Sequence, residues 1–330
     1  MWLLINRGHM HWRWFILYLT CMCFCGFSAE GQKYCEMVKH TTTVSLGGVY
    51  DAKRSAFEAT TSAFLDAINK AYCSNQQPNF PSTIATSAMD EKIGDIWAIS
   101  PFASVEPQIV RNVLSNYQGN YEIRNLQIVL EEADSGYVQQ DGVLFFDPNG
   151  KIIDFKIGLK MHDFDPIIRS NINVTDLRRR QMIVSFVEDF RTSYNLKDLD
   201  FLNKVFSEKA LIITGKVLKE TLEDELKPRI VYKRQTKQQY LANLRSIFSR
   251  TKMLSINFDS IKVVMHPKLH HIYGVNLYQT WNSEYVSGGR YNDIGYVFLI
   301  IDFANEAKPK IWVRTWADKD LFSLDNFPLQ

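Results

Sequence analysis

Residues 178–195 read RRRQMIVSFVEDFRTSYN, and residues 198–213 read DLDFLNKVFSEKALII. In the first stretch the apolar side chains recur at the spacing of one helical face; they are Ile183, Phe186, Val187, Phe190 and Tyr194. In the second stretch Asp198 is a good N-cap, and the short helix after it runs directly into a β-branched strand. Two helices followed at once by a strand therefore open the C-terminal half of the chain.

The rest of this half continues with one more helix and several long strands. A third helix is predicted over TKQQYLANLRSIFSR, residues 236–250, whose apolar residues again mark one face. Strands are predicted on both sides of it, at 210–217, 230–235, 255–266, 272–285, 294–303 and 310–316. This order predicts an α+β fold, in which three helices pack on the concave side of a strongly curved antiparallel sheet.

The same order of elements resembles the nuclear transport factor 2-like superfamily, which has a cystatin-like cone fold, over residues 178–316. That superfamily includes polyketide cyclase-like and ketosteroid isomerase-like proteins, and its fold also serves carriers and assembly modules, so the resemblance implies an architecture without a reaction. The phrases FVEDFRTSYNLKDLDFL, ALIITGKV, IYGVNLYQTWNS and VRTW are similar to an exported Bacteroidetes family of unassigned function. This closer resemblance implies export and a two-part chain, and it brings no catalytic residues.

Residues 30–165 are predicted to form a smaller α+β domain in front of the cone. Helices are expected over 51–73, over a shorter segment that carries Met89 and Trp97, and over EPQIVRNVLSNYQ, residues 106–118. A strand, YEIRNLQIVLEE, and the hairpin GVLFFDPNGKIIDFKIGL follow; Gly150 tolerates the positive φ that the hairpin turn requires. The polar stretch HDFDPIIRSNINVTDL is predicted to be a linker to the second domain at 172–318, and residues 319–330 are a tail.

The N-terminus has the features of a secretory signal peptide. Residues 1–29 contain no acidic residue, and two arginines precede the apolar stretch from residue 14 to residue 27. That stretch is shorter than the roughly 20 residues that a transmembrane helix needs. We expect cleavage near residue 29, export to the periplasm or cell envelope, and no transmembrane span in the mature chain. The alternatives are translation from Met10, a membrane anchor or apolar core helix, and lipidation.

The composition limits the kinds of partner. Three of the five cysteines lie in the predicted signal peptide, and the remaining two, Cys35 and Cys73, are either a disulfide or two free thiols. The formal charge of +2 falls to 0 when the two arginines of the signal peptide are removed. A neutral chain of mixed signs argues against nucleic acid as a partner.

A ligand site is predicted at the mouth of the cone. On the strand 272–285, Gln279 is the polar exception in a core-facing row that also contains Trp281. The resemblance implies that strand ends and the first helix line the mouth, which brings in further candidates. The predicted set for a small apolar or aromatic ligand is Asp189, Tyr194, Gln279, Trp281 and Tyr296. The alternative is that Trp281 and Tyr296 simply plug the cone.

The last strand carries a second feature, because strict alternation places Trp312, Arg314 and Trp316 on one face. Arginine between two indoles suits a cation–π arrangement, and Trp and Arg dominate the energetics of protein interfaces. We therefore expect an interface on the outer face of the sheet, either with a second copy or an envelope protein, or with the first domain.

Few residues suggest catalysis or cofactor binding. The loop HPKLHH contains three histidines, His266, His270 and His271, but it lacks metal-ligand spacing and is interpreted as a solvated loop. Asp302 is either a general base in an apolar strand or the cap of a turn. Because no phosphate loop or catalytic triad is found, we expect no cofactor and a non-enzymatic ligand-binding or assembly module. The alternative is a small-molecule cyclase, isomerase or hydrolase with Asp189 or Asp302 as base.

Overall fold

The computed structural model describes residues 35–38, 41–132, 136–169, 174–218 and 229–327, and the predicted signal peptide lies outside this part of the chain. The described residues form an α+β protein with two separate six-stranded sheets. Each sheet has its own apolar core, and no strand of one sheet pairs with a strand of the other within the described ranges. None of the described helices is long and apolar enough to cross a bilayer.

The first sheet and two helices share one apolar core and form the N-terminal unit of the described chain, which is called the first domain below. In chain order its elements are β1 Thr43–Gly47, α1 Asp51–Ser74, α2 Ser87–Ile99, β2 Phe102–Ser104, β3 Gln108–Ser115, β4 Tyr121–Glu132, β5 Gly136–Phe146 and β6 Ile152–Ile157. The strand order is β1-β3-β4-β5-β6, and β2 also pairs with β4. A disulfide joins Cys35 to Cys73 near the end of α1, with a Cα–Cα distance of 5.1 Å.

One predicted helix of this domain is wrong. The segment EPQIVRNVLSNYQ contains strand β3, which pairs in parallel with β1 and antiparallel with β4. Ile109 and Val113 are buried, whereas Val110 is 61% exposed. The four-residue interval between the two buried positions suits one face of a helix and one face of a strand equally well. Pairing with two distant strands decides the outcome, and local periodicity does not reveal those partners.

The predicted hairpin is confirmed between β5 and β6. The Asp147 carboxylate accepts hydrogen bonds from the backbone N–H groups of Asn149 and Lys151, both at 2.9 Å. Gly150 adopts a φ of 88°, a conformation that other residues rarely reach. The turn chemistry read from the sequence therefore fixes the register of this part of the sheet.

The second sheet and its helices form the cone. Its elements are α3 Met161–Arg169, α4 Leu177–Asn195, α5 Leu199–Val205, β7 Phe206–Leu218, β8 Arg229–Gln235, α6 Lys237–Arg250, β9 Thr251–Met265, β10 Ile272–Tyr285, β11 Arg290–Asp302 and β12 Lys310–Ala317. The strand order is β8-β7-β12-β11-β10-β9, and only the β7–β12 pair of this sheet is parallel. Asp198 caps α5 as predicted, since its carboxylate accepts a hydrogen bond from Phe201 N at 2.8 Å.

The stretch predicted as a linker is partly a helix. Helix α3 buries Phe164 and Ile167 in the core of the second domain, although Pro166 lies inside it. Its apolar residues, Met161, Phe164, Ile167 and Ile168, span only two turns and are separated by charged residues and a proline, which makes the pattern hard to recognise in a polar stretch. The segment that connects the two domains therefore packs, through helix α3, against the core of the second domain.

Candidate functional site

Helix α4 lies between the two domains and presents a different set of side chains to each. Its apolar face enters the cone with Phe190 and Tyr194. Its polar face meets the first domain, where Glu188 and Asp189 contact side chains of strands β4 and β6. The structure thus offers two candidate sites, one inside the cone and one in the cleft between the domains.

Aromatic rings fill the interior of the cone. The Tyr194 ring lies 6.0 Å from the Trp281 ring and 5.1 Å from the Phe190 ring, measured between centroids. Trp281 is only 9% exposed and Trp316 is only 2% exposed. Trp316 lies over Gly215 and Gly295, where a Cβ atom on either glycine would overlap the indole. Of the two residues in the alternative that plugs the cone, Trp281 lies among these rings, whereas Tyr296 lies on the opposite face of the sheet.

Polar groups are nevertheless enclosed among these rings. The hydroxyl oxygens of Tyr194 and Tyr240 are 2.6 Å apart, and Nη2 of Arg314 lies 3.5 Å from Oε1 of Gln279. Arg314 is 4% exposed, and its Nε and Nη1 atoms have no hydrogen-bond partner among the described residues. Burial raises the pKa of the Tyr194 phenol well above its usual range. Burial also raises the pKa of Asp293, which pairs with Trp281 across the sheet, to about 6.

The structure brings together three of the five predicted ligand residues, Tyr194, Gln279 and Trp281. Tyr296 points to the opposite face of the sheet, where its ring lies 5.2 Å from that of Tyr278. Asp189 points away from the cone and forms an ion pair in the cleft. The predicted placement of these two residues at the mouth of the cone is therefore wrong: Tyr296 follows the other row of its strand, and Asp189 follows the other face of its helix.

A β-bulge corrects the predicted row on the last strand. Ile300 pairs with Val313 and Ile301 pairs with Ile311, so Trp312 is the extra residue and the alternation changes there. Arg314 and Trp316 consequently point into the cone and are buried within their own domain. Trp312 packs on the outer face with Phe322, Leu324 and Phe327 of the predicted tail. The three residues do not form one outward row.

Asp302 and His266, which the sequence analysis considered for catalysis and metal binding, stabilise turns. Asp302 accepts hydrogen bonds from Ala304 N at 2.7 Å and from the Trp312 indole at 3.2 Å. His266 Nδ1 accepts hydrogen bonds from two backbone N–H groups of its own loop. Of the two interpretations of Asp302, the turn cap is the one that the geometry favours.

The cleft between the domains contains an open cavity of about 290 Å³. Strands β4, β5 and β6 of the first domain form one wall, and helices α3 and α4 form the other. Its charged lining residues are Glu122, Arg124, Asp154, Lys156, Glu188 and Asp189. A wider groove of about 1110 Å³ adjoins it and shares four lining residues, among them Ser185 and Asp189. Among the residues predicted as site candidates, Asp189 lines both of these cavities.

Buried ion pairs connect the two walls of the cleft. Arg124 of β4 pairs with Glu188 of α4 and, at 3.2 Å, with Glu122 of its own strand. Lys156 Nζ lies 2.6 Å from Asp189 Oδ1 and 3.2 Å from the Ser185 hydroxyl. Arg124, Glu122 and Lys156 are each no more than 6% exposed, and Glu188 is completely buried. Charges buried this deeply are stable only when they are paired.

One carboxylate oxygen in the cleft lacks a partner. Oε1 of Glu188 accepts hydrogen bonds from Arg124 and, at 2.7 Å, from Leu159 N. Oε2 of Glu188 is enclosed and has no hydrogen-bond partner among the described residues. An unpaired buried acceptor costs about 1–3 kcal/mol, so a donor brought by a ligand would be favoured there.

The protonation equilibria of the cleft are perturbed. Burial raises the pKa of Glu122, and the Arg124 guanidinium opposes this only in part. Burial likewise raises the pKa of Asp189 against the opposing effect of Lys156. For Lys156, burial acts to lower the pKa, but the carboxylates of Asp189 and Asp154 outweigh it, so its pKa lies above the usual value. Perturbed titratable groups that share a cavity are typical of binding and catalytic sites.

Comparisons with known proteins support no more than a general likeness. A scan against protein-family models finds no match, and a search of curated proteins finds no similar sequence. Among solved structures, naphthalene 1,2-dioxygenase with indole bound in its active site is 8% identical, with a TM-score of 0.36; the match covers 49% of this chain and 89% of that one. A conserved protein from Planctomyces limnophilus is 11% identical, with a TM-score of 0.32 and coverages of 41% and 91%. Aln2 from a Streptomyces species is 12% identical, with a TM-score of 0.30 and coverages of 42% and 89%. Similarities at this level carry no functional argument.

Proposed function

We propose that the protein is a non-enzymatic binding module that holds a small organic cation in the cleft between its two domains. The observation that carries this proposal is an open cavity into which both domains contribute buried charged side chains. The cone is the weaker candidate, because aromatic rings occupy its interior.

The charge of the cleft favours a cationic ligand. Four carboxylates line it, those of Glu122, Asp154, Glu188 and Asp189, against the two cations Arg124 and Lys156, so the lining has a formal charge of −2. Lys92 approaches Asp154 at 2.6 Å from outside the lining and reduces this excess to −1. Together with the unpaired oxygen of Glu188, this excess would favour an ammonium or guanidinium group.

The proposal is tested with simple cations and their neutral counterparts. The protein is titrated by calorimetry with methylguanidine, choline and 1,4-diaminobutane, and 1,4-butanediol serves as the uncharged match for the diamine. At least one cation is expected to bind, and the diol is not. If none of the cations binds, or if the diol binds as tightly as the diamine, the cationic ligand is excluded.

Two variants locate the binding. Asp189→Asn removes one charge from a side chain that is 35% exposed. The fold should tolerate it, because Lys156 keeps the Asp154 carboxylate at 3.9 Å and the amide oxygen of the new side chain can still accept a hydrogen bond. We expect at least about tenfold weaker binding, because a charge-assisted hydrogen bond is worth roughly 1.5–3 kcal/mol. Glu208→Gln is the matched control, since Glu208 is 78% exposed and pairs with Lys237 outside the cleft lining. Equal losses in both variants would contradict a site in the cleft.

The second candidate function is small-molecule catalysis of the cyclase, isomerase or hydrolase kind. Its support is the raised pKa of the carboxyls of Glu122 and Asp189, since a general acid or base works best with a pKa near neutrality. A bound cation that is recovered unchanged after prolonged incubation supports the binding module. Product formation that Asp189→Asn abolishes supports the enzyme.

We also propose that the chain is exported to a bacterial cell envelope. The acid-free, apolar N-terminal segment motivates this proposal, and the disulfide between Cys35 and Cys73 suits an oxidising compartment. N-terminal sequencing of protein from envelope fractions should find a start near residue 30. A mature protein that still begins at Met1 or Met10 would exclude cleavage of the signal peptide.

A further inference from the structure

Away from the cleft lining, three side chains with metal-ligating atoms meet where helix α3 contacts strand β9. Nε2 of His162 lies 3.2 Å from Oδ2 of Asp163 and 4.0 Å from Oδ1 of Asp259. All three atoms lie within 4.8 Å of one another. The two carboxylates come from different elements, so the tertiary fold brings the cluster together.

The burial of Asp163 is the second observation that points to a ligand. Asp163 is 4% exposed, and its Oδ1 accepts a hydrogen bond from Ile261 N at 3.1 Å. Its Oδ2 is enclosed and has no hydrogen-bond partner among the described residues, although it faces His162 and Asp259. An ionised carboxylate oxygen that is buried without a donor is costly unless a cation compensates it.

We propose that His162, Asp163 and Asp259 bind a divalent transition metal, with Zn²⁺ as the best fit. One imidazole nitrogen and two carboxylate oxygens suit Zn²⁺ or a neighbouring transition metal, whereas Mg²⁺ and Ca²⁺ take oxygen ligands. Ligand atoms about 2.0–2.2 Å from a tetrahedral centre stand roughly 3.4 Å apart. Nε2 of His162 lies within about 0.6 Å of that separation from both oxygens, at 3.2 Å and 4.0 Å, and its side chain is 65% exposed, so it has room to adjust.

A lysine competes for the same position. Nζ of Lys160 lies 3.0 Å from Oδ1 of Asp259 and holds a positive charge where the metal would bind. Lys160 is 43% exposed and sits on a flexible stem, so it can move into solvent when a metal enters. Removal of Lys160 should therefore strengthen metal binding, an effect that loss of a structural ion pair would not produce.

The bound metal would connect helix α3 to the edge of the second sheet. Asp163 lies in the first turn of α3, and Asp259 belongs to β9, which is one of the two edge strands of the second sheet. A metal that binds the folded chain and not the unfolded one raises the melting temperature with its concentration. This gives a readout that does not depend on any activity or on the proposed cleft ligand.

The test uses Co²⁺ as a spectroscopic probe and Zn²⁺ as its competitor, on the full chain without an affinity tag. The expected result is one equivalent of Co²⁺ with visible absorption typical of four-coordinate cobalt, displaced by Zn²⁺, and a higher melting temperature with either ion. His162→Ala, at an exposed position, should weaken binding by at least about tenfold. Lys160→Gln should strengthen it by about fivefold, because a competing charge is removed.

The three histidines of the loop 266–271 supply the control. One triple variant combines His266→Gln, His270→Gln and His271→Gln. It removes the imidazole groups of this loop and should leave metal binding unchanged. If this variant loses the metal while His162→Ala keeps it, binding belongs to the loop and the proposal is wrong. Absence of one-equivalent binding in the unmodified protein, or weaker binding in Lys160→Gln, would also overturn it.

Discussion

The ion pair that joins the two domains allows a quantitative prediction, because Arg124 has two buried carboxylate partners. The substitution Arg124→Met keeps the aliphatic stem of the side chain and removes the charged guanidinium group. It leaves Glu188, which is completely buried, and Glu122, which is 6% exposed, without their cation. It also removes the stacking of the guanidinium 4.0 Å from the centre of the Phe164 ring.

The size of the effect follows from the cost of leaving a carboxylate unpaired. Removal of one partner from a buried ion pair typically costs about 3–5 kcal/mol. A carboxyl can escape this penalty by taking up a proton, and for an ordinary glutamate pKa of 4.5 this costs about 3.4 kcal/mol at pH 7. We therefore expect Arg124→Met to lower the free energy of unfolding by at least about 3–4 kcal/mol at pH 7, which is the cost for one of the two carboxyls. At pH 5 protonation is easier, and the loss should shrink to about 1 kcal/mol.

Urea unfolding at both pH values measures this difference. Arg169→Met is the matched control, since Arg169 is 77% exposed and pairs with Asp165 one helical turn away. Such a surface pair should contribute less than about 0.5 kcal/mol at either pH. A loss below about 1 kcal/mol at pH 7 for Arg124→Met, or a loss that does not change with pH, would refute the role of the buried pair.

Three further predictions concern the cone and the disulfide. Tyr194→Phe should lower the free energy of unfolding by about 1–2 kcal/mol in urea denaturation, because it leaves the buried Tyr240 hydroxyl without its partner at 2.6 Å. Asp293 has a folded pKa of about 6, above its ordinary 3.8, so its contribution favours folding below about pH 4 and is lost as the pH rises through 6. Asp293→Asn should therefore gain stability relative to the unmodified protein between pH 4 and pH 7, by about 1 kcal/mol after solvent screening, and equal stability differences at the two pH values would contradict this. The double substitution Cys35→Ser with Cys73→Ser opens a link across 38 residues and should cost about 4 kcal/mol in thermal unfolding; alkylation of both thiols in the unreduced native protein would show that no disulfide is present.

The second domain could be predicted well from its sequence because its elements are long and strongly periodic. The predicted buried row of the strand 272–285 is confirmed, since Tyr273, Val275, Leu277, Gln279 and Trp281 are all at most 9% exposed. The N-cap of α5 and the β5–β6 turn could also be predicted, because each depends only on residues that are close together in the sequence. In these places local sequence and tertiary structure agree.

The last strand and the cleft could not be predicted in the same way. The bulge at Trp312 follows from the register of β12 against β11, and strict alternation therefore assigned Arg314 to the outer face. Glu122 and Arg124 alternate with the buried Ile123 on β4, which is the pattern of a strand with one solvated face. Glu122 and Arg124 are buried because the second domain packs on this face of β4. The sequence of β4 alone does not reveal that contact.

Substitution of the two buried arginines, Arg314 and Arg124, is expected to change stability in opposite directions. The contrast tests whether each guanidinium charge has a partner in the folded protein. Arg314 has no ion pair within hydrogen-bonding distance among the described residues, and its Nε and Nη1 atoms lack acceptors. Removal of an unsatisfied buried donor relieves its desolvation cost of about 1–3 kcal/mol. Against this gain stand the losses of a 3.5 Å contact to Gln279, an interaction with the Tyr194 hydroxyl and stacking on the Tyr240 ring. The charge interaction with Asp293 is also lost, but protonation of that carboxyl, with its pKa of about 6, limits the cost. Arg314→Met should therefore be neutral or stabilise the protein by about 1 kcal/mol at pH 7, while Arg124→Met destabilises it. If urea unfolding shows losses above about 2 kcal/mol for both, Arg314 has a compensating partner in the folded protein, and the cone would have to be reconsidered as an anion site.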